Sequence, residues 1–260
     1  RAEQFLYGDH PLGKDTLGLE DTVLNFRRAH FLTFWQKLYH SGNCALIVAG
    51  QISETRIREL AANLFPEVES APPGRQPIKL ETPTANELTI NREIEQVHLL
   101  LAQLTPKASA PEAKHLSLFQ TMISGGMSFP LFQEVRDKRG LGYSVRAAME
   151  AWSDGGDFSI YVGTDPKRYR EAITVAHEVI AQAKTDQSLL DRAKTVTLGR
   201  LALTFESTAQ IISSAAQDVA LLGKPRGYDE IEQEIMAIEI GDIRHAVETY
   251  LAPEKMKTIM

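Results

Sequence analysis

Apolar positions change period in the middle of this chain. Leu131, Phe132 and Val135 fall on one stripe at helical spacing. Arg136, Lys138 and Arg139 follow in the last turn, where cations suit the negative end of a helix dipole. Gly140 can take the positive φ that stops a helix. From there the period is two. Tyr143, Val145, Ala147, Met149 and Ala151 alternate with Ser144, Arg146, Ala148 and Glu150. Asp154-Gly155-Gly156 is a turn signal, and Phe158, Ile160 and Val162 alternate beyond it. The pattern predicts a helix feeding an antiparallel hairpin.

The flanking stretches can be read the same way. Residues 1–20 hold three glycines and a proline and read as an irregular connection. Asp21 is a candidate cap for a helix whose face carries Val23, Phe26, Arg27, His30, Phe31, Phe34, Trp35 and Leu38. Residues 44–49 read as an apolar strand, followed by a helix capped by Ser53 and carrying Ile57, Leu60, Ala61, Leu64 and Phe65. Residues 66–87 form a linker, with five prolines between Pro66 and Ala85. Residues 88–104 alternate and become apolar, His98 apart, at 97–102, as in a central strand. Pro111 opens a helix with Leu116, Phe119, Met122 and Ile123 on its buried side, closed by Gly125-Gly126. Asp165-Pro166 reads as the cap and first turn of a helix carrying Ile173, Ala176, Val179, Ile180 and Ala183. Residues 187–222 are helical in pattern, with a bend expected at Gly199. A short helix around Ile231–Ile238, a last helix through Tyr250 and an edge strand over 255–260 complete the chain.

Composition narrows the function. An apolar fraction of 43% over 260 residues supports a sizeable core and argues against disorder. The net charge of −6 argues against a nucleic-acid partner. No apolar run approaches the roughly 18–20 residues of a membrane span. The single Cys44 excludes an internal disulfide, and its place in CALIVAG predicts a buried, inert thiol. The seven histidines are at 10, 30, 40, 98, 115, 177 and 245, and no two stand four apart. His10 reads as a loop residue, and His30, His40 and His98 as structural. His177-Glu178 is a lone pair. Gly125-Gly126 has neither a strand just before it nor a Lys-Ser/Thr after it, so it is not a phosphate loop.

The run LFQEVRDKRGLGYSV, with Arg136 and Tyr143 seven apart around Gly-Leu-Gly, resembles the signature of the pitrilysin-type (inverzincin) zinc metallopeptidases. That is the family of insulin-degrading enzyme and mitochondrial processing peptidase. Gln96-Val97-His98 is similar to the family's entry into its second unit, and Tyr39 and Asn43 to residues that precede a strand in the first. The resemblance implies an α+β fold with a mainly antiparallel sheet and helices packed on one face. It also implies an organisation in which residues 1–65 are the C-terminal part of a first unit, 66–87 link, and 88–260 are an inactive, C-terminal-type peptidase unit.

In that family the metal is held by His-x-x-Glu-His and a distal glutamate, with the motif's glutamate acting as base on the metal-bound water. None of that motif occurs here, so no residue of this chain is expected to be catalytic or to bind metal. The resemblance instead makes Arg136 and Tyr143 substrate-binding residues that reach a peptide held at the zinc site of another half. Zinc is then expected in that catalytic half or partner subunit. A homodimer is a further candidate assembly. The competing expectations are a structural subunit like the respiratory-complex core proteins, and a fragment of an active chain whose zinc site lies upstream of Arg1. The compartment stays open, with the bacterial periplasm or cytoplasm preferred to an organelle.

Overall fold

A computed structural model describes residues 1–65 and 78–260. Most of the predicted linker, residues 66–77, lies outside the described residues. The fold is α+β. Helices α1 (Ala2–Tyr7), α2 (Glu20–Leu24), α3 (Arg28–Leu38) and α4 (Glu54–Leu64) come first, then strands β1 (Glu87–Leu88) and β2 (Val97–Thr105). Helix α5 (Pro111–Ser124) leads to a short α6 (Pro130–Phe132) that widens into a π-helical turn (Gln133–Lys138). The hairpin is β3 (Gly142–Ala151) and β4 (Gly156–Thr164). Helices α7 (Tyr169–Ala183), α8 (Gln187–Phe205), α9 (Thr208–Leu222), α10 (Tyr228–Ala237) and α11 (Ile240–Tyr250) precede β5 (Lys257–Ile259). Among the described residues, no helix is long and apolar enough to cross a membrane.

The five strands lie in the order β1-β5-β2-β4-β3. Only the β1–β5 pair is parallel. The sheet's two faces follow from period two. Leu99 and Leu101 of β2, Phe158, Ile160 and Val162 of β4 and Ala147 of β3 point to one side. There they meet Leu116, Phe119 and Met122 of α5, Val175 and Val179 of α7, and Ile243 and Val247 of α11. The Phe119 and Phe158 rings are 6.1 Å apart and fully buried, and removing either ring would cost about 3–5 kcal/mol. Strand β3 is an edge, and an open edge invites pairing with other chains. Helix α5 covers its middle: the Gln120 amide donates to the Ala147 carbonyl (2.9 Å) and the Ala147 N–H donates to Ser124 Oγ (3.0 Å).

The other face is covered at one end by α1. The sequence predicted an irregular start, but residues 2–7 are helical, because Leu6 and Tyr7 find an apolar seat on Ala102, Leu104 and Ile259. The Tyr7 hydroxyl donates to Asp157 Oδ1 at 2.6 Å. His10 is a buried loop residue whose Nδ1 accepts the Leu12 N–H (3.2 Å), with Nε2 3.8 Å from Asp154.

Several expectations need correction. Residues 44–49 are not a strand, and Cys44 is exposed rather than buried. Their backbone finds no neighbouring strand within the described chain, and an unpaired strand has nothing to hold it. The helix expected from Asp21 to Leu38 breaks at residues 25–27. There the Asn25 amide and the Arg27 guanidinium donate to carbonyls of the preceding turn, and His30 Nδ1 accepts the Arg27 N–H. Gly199 lies inside α8, and the break falls at Glu206-Ser207 instead. Asp165 initiates a turn, with α7 starting four residues later at Tyr169. Within 88–104 only β2 and the end of β1 are extended pairs.

Burial pushes the Asp157 carboxyl above its ordinary value of 3.8; the Tyr7 hydrogen bond opposes this, while Glu150 and Glu3 add to it. A raised carboxyl favours the protonated, folded form. The folded state therefore loses stability as pH rises above 3.8 through the folded value. Asp157→Asn keeps an acceptor for Tyr7 without the buried charge. Denaturant titrations should show parent and variant alike near pH 3, with the variant gaining on the parent as pH rises to 7. A gap that stays constant with pH would contradict this.

Candidate functional site

The helix-to-hairpin connection puts Arg136 against Tyr143. Pro130 at the first helical position and the fully buried Leu131 and Val135 anchor α6 and its π-turn on the core. Phe132 and Arg136 are four residues apart, so they share the outward face. The wide turn closes at Gly140, whose φ of 54° is a left-handed value that glycine takes without strain. The Gly140 N–H donates to the Arg136 carbonyl (3.0 Å) and the Leu141 N–H to the Val135 carbonyl (2.7 Å). From outside, the Arg168 guanidinium donates to the Arg139 and Gly140 carbonyls (3.1 and 3.2 Å). Leu141 is buried, and a Cβ on Gly142 would run into the Gly163 carbonyl oxygen. Gly-Leu-Gly is therefore a stop, an anchor and a close approach, in that order.

Strand β3 begins with a bulge. Gly142 stands opposite Thr164 and Ser144 opposite Gly163, which leaves Tyr143 without a partner across the ladder. Bulges re-aim side chains, and Tyr143 is 76% exposed. The Arg136 guanidinium lies 4.4 Å from the centre of its ring and 4.7 Å from that of Phe132. A cation held between two rings in this way is worth about 0.5–1 kcal/mol per contact at an exposed site.

The other cations of this turn are neutralised. Lys138 pairs with Glu134 at 2.6 Å, and Arg139 with Glu134 and Glu178 at 3.4 and 3.3 Å. Among the described residues, Arg136 has no carboxylate or hydrogen-bond partner for its guanidinium, and the Tyr143 hydroxyl has none either. The site presents a half-buried positive charge of fixed orientation beside a free phenol. Both can donate to a carbonyl oxygen or to an anion. Phe132 was assigned by sequence to the buried stripe; its place in the stack was legible only as the i, i+4 spacing to Arg136.

No group of three or more His, Cys, Asp or Glu side chains among the described residues is arranged to hold a metal ion. His115 and His177 lie on helices of the inner layer, where burial pushes both rings below their ordinary pKa. His98 Nδ1 is 2.7 Å from the Tyr161 hydroxyl. The donor set described here does not fit a zinc site.

Comparison with known proteins identifies the family. Residues 25–197 match the family model of the peptidase M16 inactive domain. An uncharacterized zinc protease of Mycobacterium leprae is 30% identical over 247 residues, covering 92% of this chain and 55% of that protein. One from Bacillus subtilis is 30% identical over 237 residues, covering 90% of this chain and 58% of that protein. The chain thus spans little more than half the length of these relatives. Among solved structures, the peptidase M16 inactive domain from Pseudomonas fluorescens superposes with a TM-score of 0.88 at 24% identity, covering 99% of this chain and 63% of that one. A chain of complex III2 from Candida albicans superposes at 0.82 with 14% identity, covering 98% and 63%. With its family model matched over residues 25–197, the chain belongs to the peptidase M16 family and carries that family's inactive domain.

Proposed function

We propose that this chain is the non-catalytic, substrate-contacting half of a zinc-dependent metalloendopeptidase. The zinc and the general base belong to a catalytic half, either upstream in the same polypeptide or in a partner subunit. The observation that carries this reading is the Arg136 guanidinium, held between Phe132 and Tyr143 with no carboxylate partner among the described residues. Peptide hydrolysis builds negative charge on the carbonyl oxygen. A pre-oriented guanidinium and a phenol aimed at that oxygen, or at the peptide backbone beside it, stabilise the charge. A contact of this kind lowers the barrier by about 3–4 kcal/mol. As a mere helix-end cation, Arg136 would contribute about 0.3–1 kcal/mol to stability. The zinc-protease names of relatives that extend well beyond this chain's span support a zinc half outside the described residues. A structural subunit is the second reading; it rests on the likeness of fold to the complex III2 chain.

The same reading assigns residues 1–65 to the C-terminal part of a first half-unit, 66–87 to the link and 88–260 to the inactive unit. Phe31, Phe34, Trp35 and Leu46 are each more than half exposed, and α2, α3 and α4 bury no residue. At about 25 cal/mol per Å² of apolar surface, these faces favour cover by the rest of that half or by a second copy of the chain.

Three outcomes follow. Metal analysis of the chain alone should find no stoichiometric zinc; one tightly held zinc per chain would overturn the assignment. In the assembled peptidase, Arg136→Ala and Tyr143→Phe should leave the melting temperature within a few degrees of the parent. Turnover should fall, by about 100-fold for Arg136→Ala; equal turnover would remove the substrate role. After limited proteolysis in 66–77, residues 1–65 should stay with residues 88–260, held by the seat of Leu6 and Tyr7 on the sheet, or pair with a second copy. Recovery of residues 1–65 by gel filtration as a soluble, cooperatively folded monomer would sink the division proposed.

A further inference from the structure

The part of the outer sheet face away from α1 carries a second arginine–tyrosine pair. Arg146 stands three residues beyond Tyr143 on β3, opposite Tyr161 of β4, and its guanidinium lies 5.2 Å from the centre of the Tyr161 ring. The Tyr161 hydroxyl is fixed by His98 Nδ1 at 2.7 Å. In the neighbouring row, His98, Gly163 and Ser144 face one another across three strands. A Cβ on Gly163 would come within 3.3 Å of the Tyr161 hydroxyl. The bare glycine therefore leaves the space in which the Tyr161 side chain reaches His98.

Arg146 is exposed and, among the described residues, has no carboxylate or hydrogen-bond partner. The acids of β3 and β4 on this face, Glu150 and Asp157, stand opposite each other at the far end, where Tyr7 bonds Asp157. On this face the cation Arg146 thus stands toward the bulged start of β3, and the acids stand beside α1. Three residues of strand span about 10 Å, so an extended peptide held at Tyr143 reaches Arg146 with a side chain about three positions away.

We propose that Arg146, stacked on Tyr161, is a specificity-determining residue that takes an acidic side chain of the bound peptide. This rests on the reading of Arg136 and Tyr143 as peptide contacts. A guanidinium oriented by a ring offers a carboxylate two parallel N–H donors, which a carboxamide cannot match with charge.

The test uses the assembled peptidase and a peptide it cleaves, remade as a set with a single Glu, Gln or Lys at each position in turn. The parent should prefer Glu over Gln at one position, by roughly fivefold in kcat/KM and mainly through KM. That preference should shrink as salt is raised. Arg146→Ala should bring the Glu peptide down to the Gln level, and Arg146→Lys should keep part of the difference. Arg146→Glu should invert the preference toward the Lys peptide, a gain that an unfolded variant cannot produce. The assignment is overturned if the parent shows no Glu preference at any position, or if Arg146→Ala and Arg146→Glu keep the parent's ratios. Arg136→Ala runs alongside. If it slows every peptide alike while the Arg146 variants keep the parent's ratios, only the Arg146 assignment falls. If it slows none, the underlying reading falls, and the Glu-to-Gln ratio still decides Arg146.

Discussion

The hydrogen bond from the Leu141 N–H to the Val135 carbonyl holds the helix and the hairpin in one relation, and the site depends on it. The bond spans six residues, two more than an α-helix closes. It needs a chain reversal at Gly140 with positive φ and two buried anchors, Val135 before it and Leu141 after it. Once those anchors are in the core, the next outward residue before the reversal is Arg136, and the next after it is Tyr143. Their contact thus follows from the way the backbone leaves the helix. Two irregularities, a π-turn and a bulge, sit on the two sides of the reversal. Both cost regular hydrogen bonds, and such departures are retained where a side chain must be aimed.

The sheet treats its two faces differently. The inner face is sealed by α5, α7 and α11, and α5 also caps the β3 edge through Gln120 and Ser124. Among the described residues the outer face has a helix at one end, and that helix comes from the first residues of the chain. Residues 1–13 therefore belong physically to the sheet of residues 88–260, although the apolar helices that follow them do not join either core cluster.

Much of this was legible in the sequence. The alternation in 143–151 and 158–162, Pro111 and the stop at Gly140 each translated directly into an element. Arg136 and Tyr143 were singled out only through the family resemblance; their stacking on each other was not legible, because it depends on the bulge that takes Tyr143 out of the alternation. What failed was long-range. CALIVAG has the composition of a buried strand, yet a strand needs partners, and those are not among the described residues. Residues 2–7 gave no strong helical pattern, and their helix follows from a seat on β2 and β5 far along the chain. Phe132 was legible as apolar, but whether an apolar residue at a helix edge fills the core or stacks on a cation depends on how far the helix rolls.

An unpartnered guanidinium at a protein surface is unremarkable when water solvates it on all sides. Arg136 is different because two rings lie with their centres within 4.7 Å of its guanidinium carbon and displace part of its water. Stacking repays part of the lost hydration, and it also removes rotational freedom, so a ligand that binds the guanidinium has less entropy to overcome. The paired Lys138 and Arg139 next to it sharpen the point: both meet carboxylates, which leaves Arg136 as the unpaired cation of the turn among the described residues. In a chain of net charge −6, a fixed positive edge beside a free phenol is a local inversion of the overall field. Such an inversion stabilises developing negative charge only if it is already in place when the charge appears. Metal chemistry and charge stabilisation can therefore reside on different halves of a peptidase, since the first requires ligands that converge on an ion and the second requires only donors that do not move.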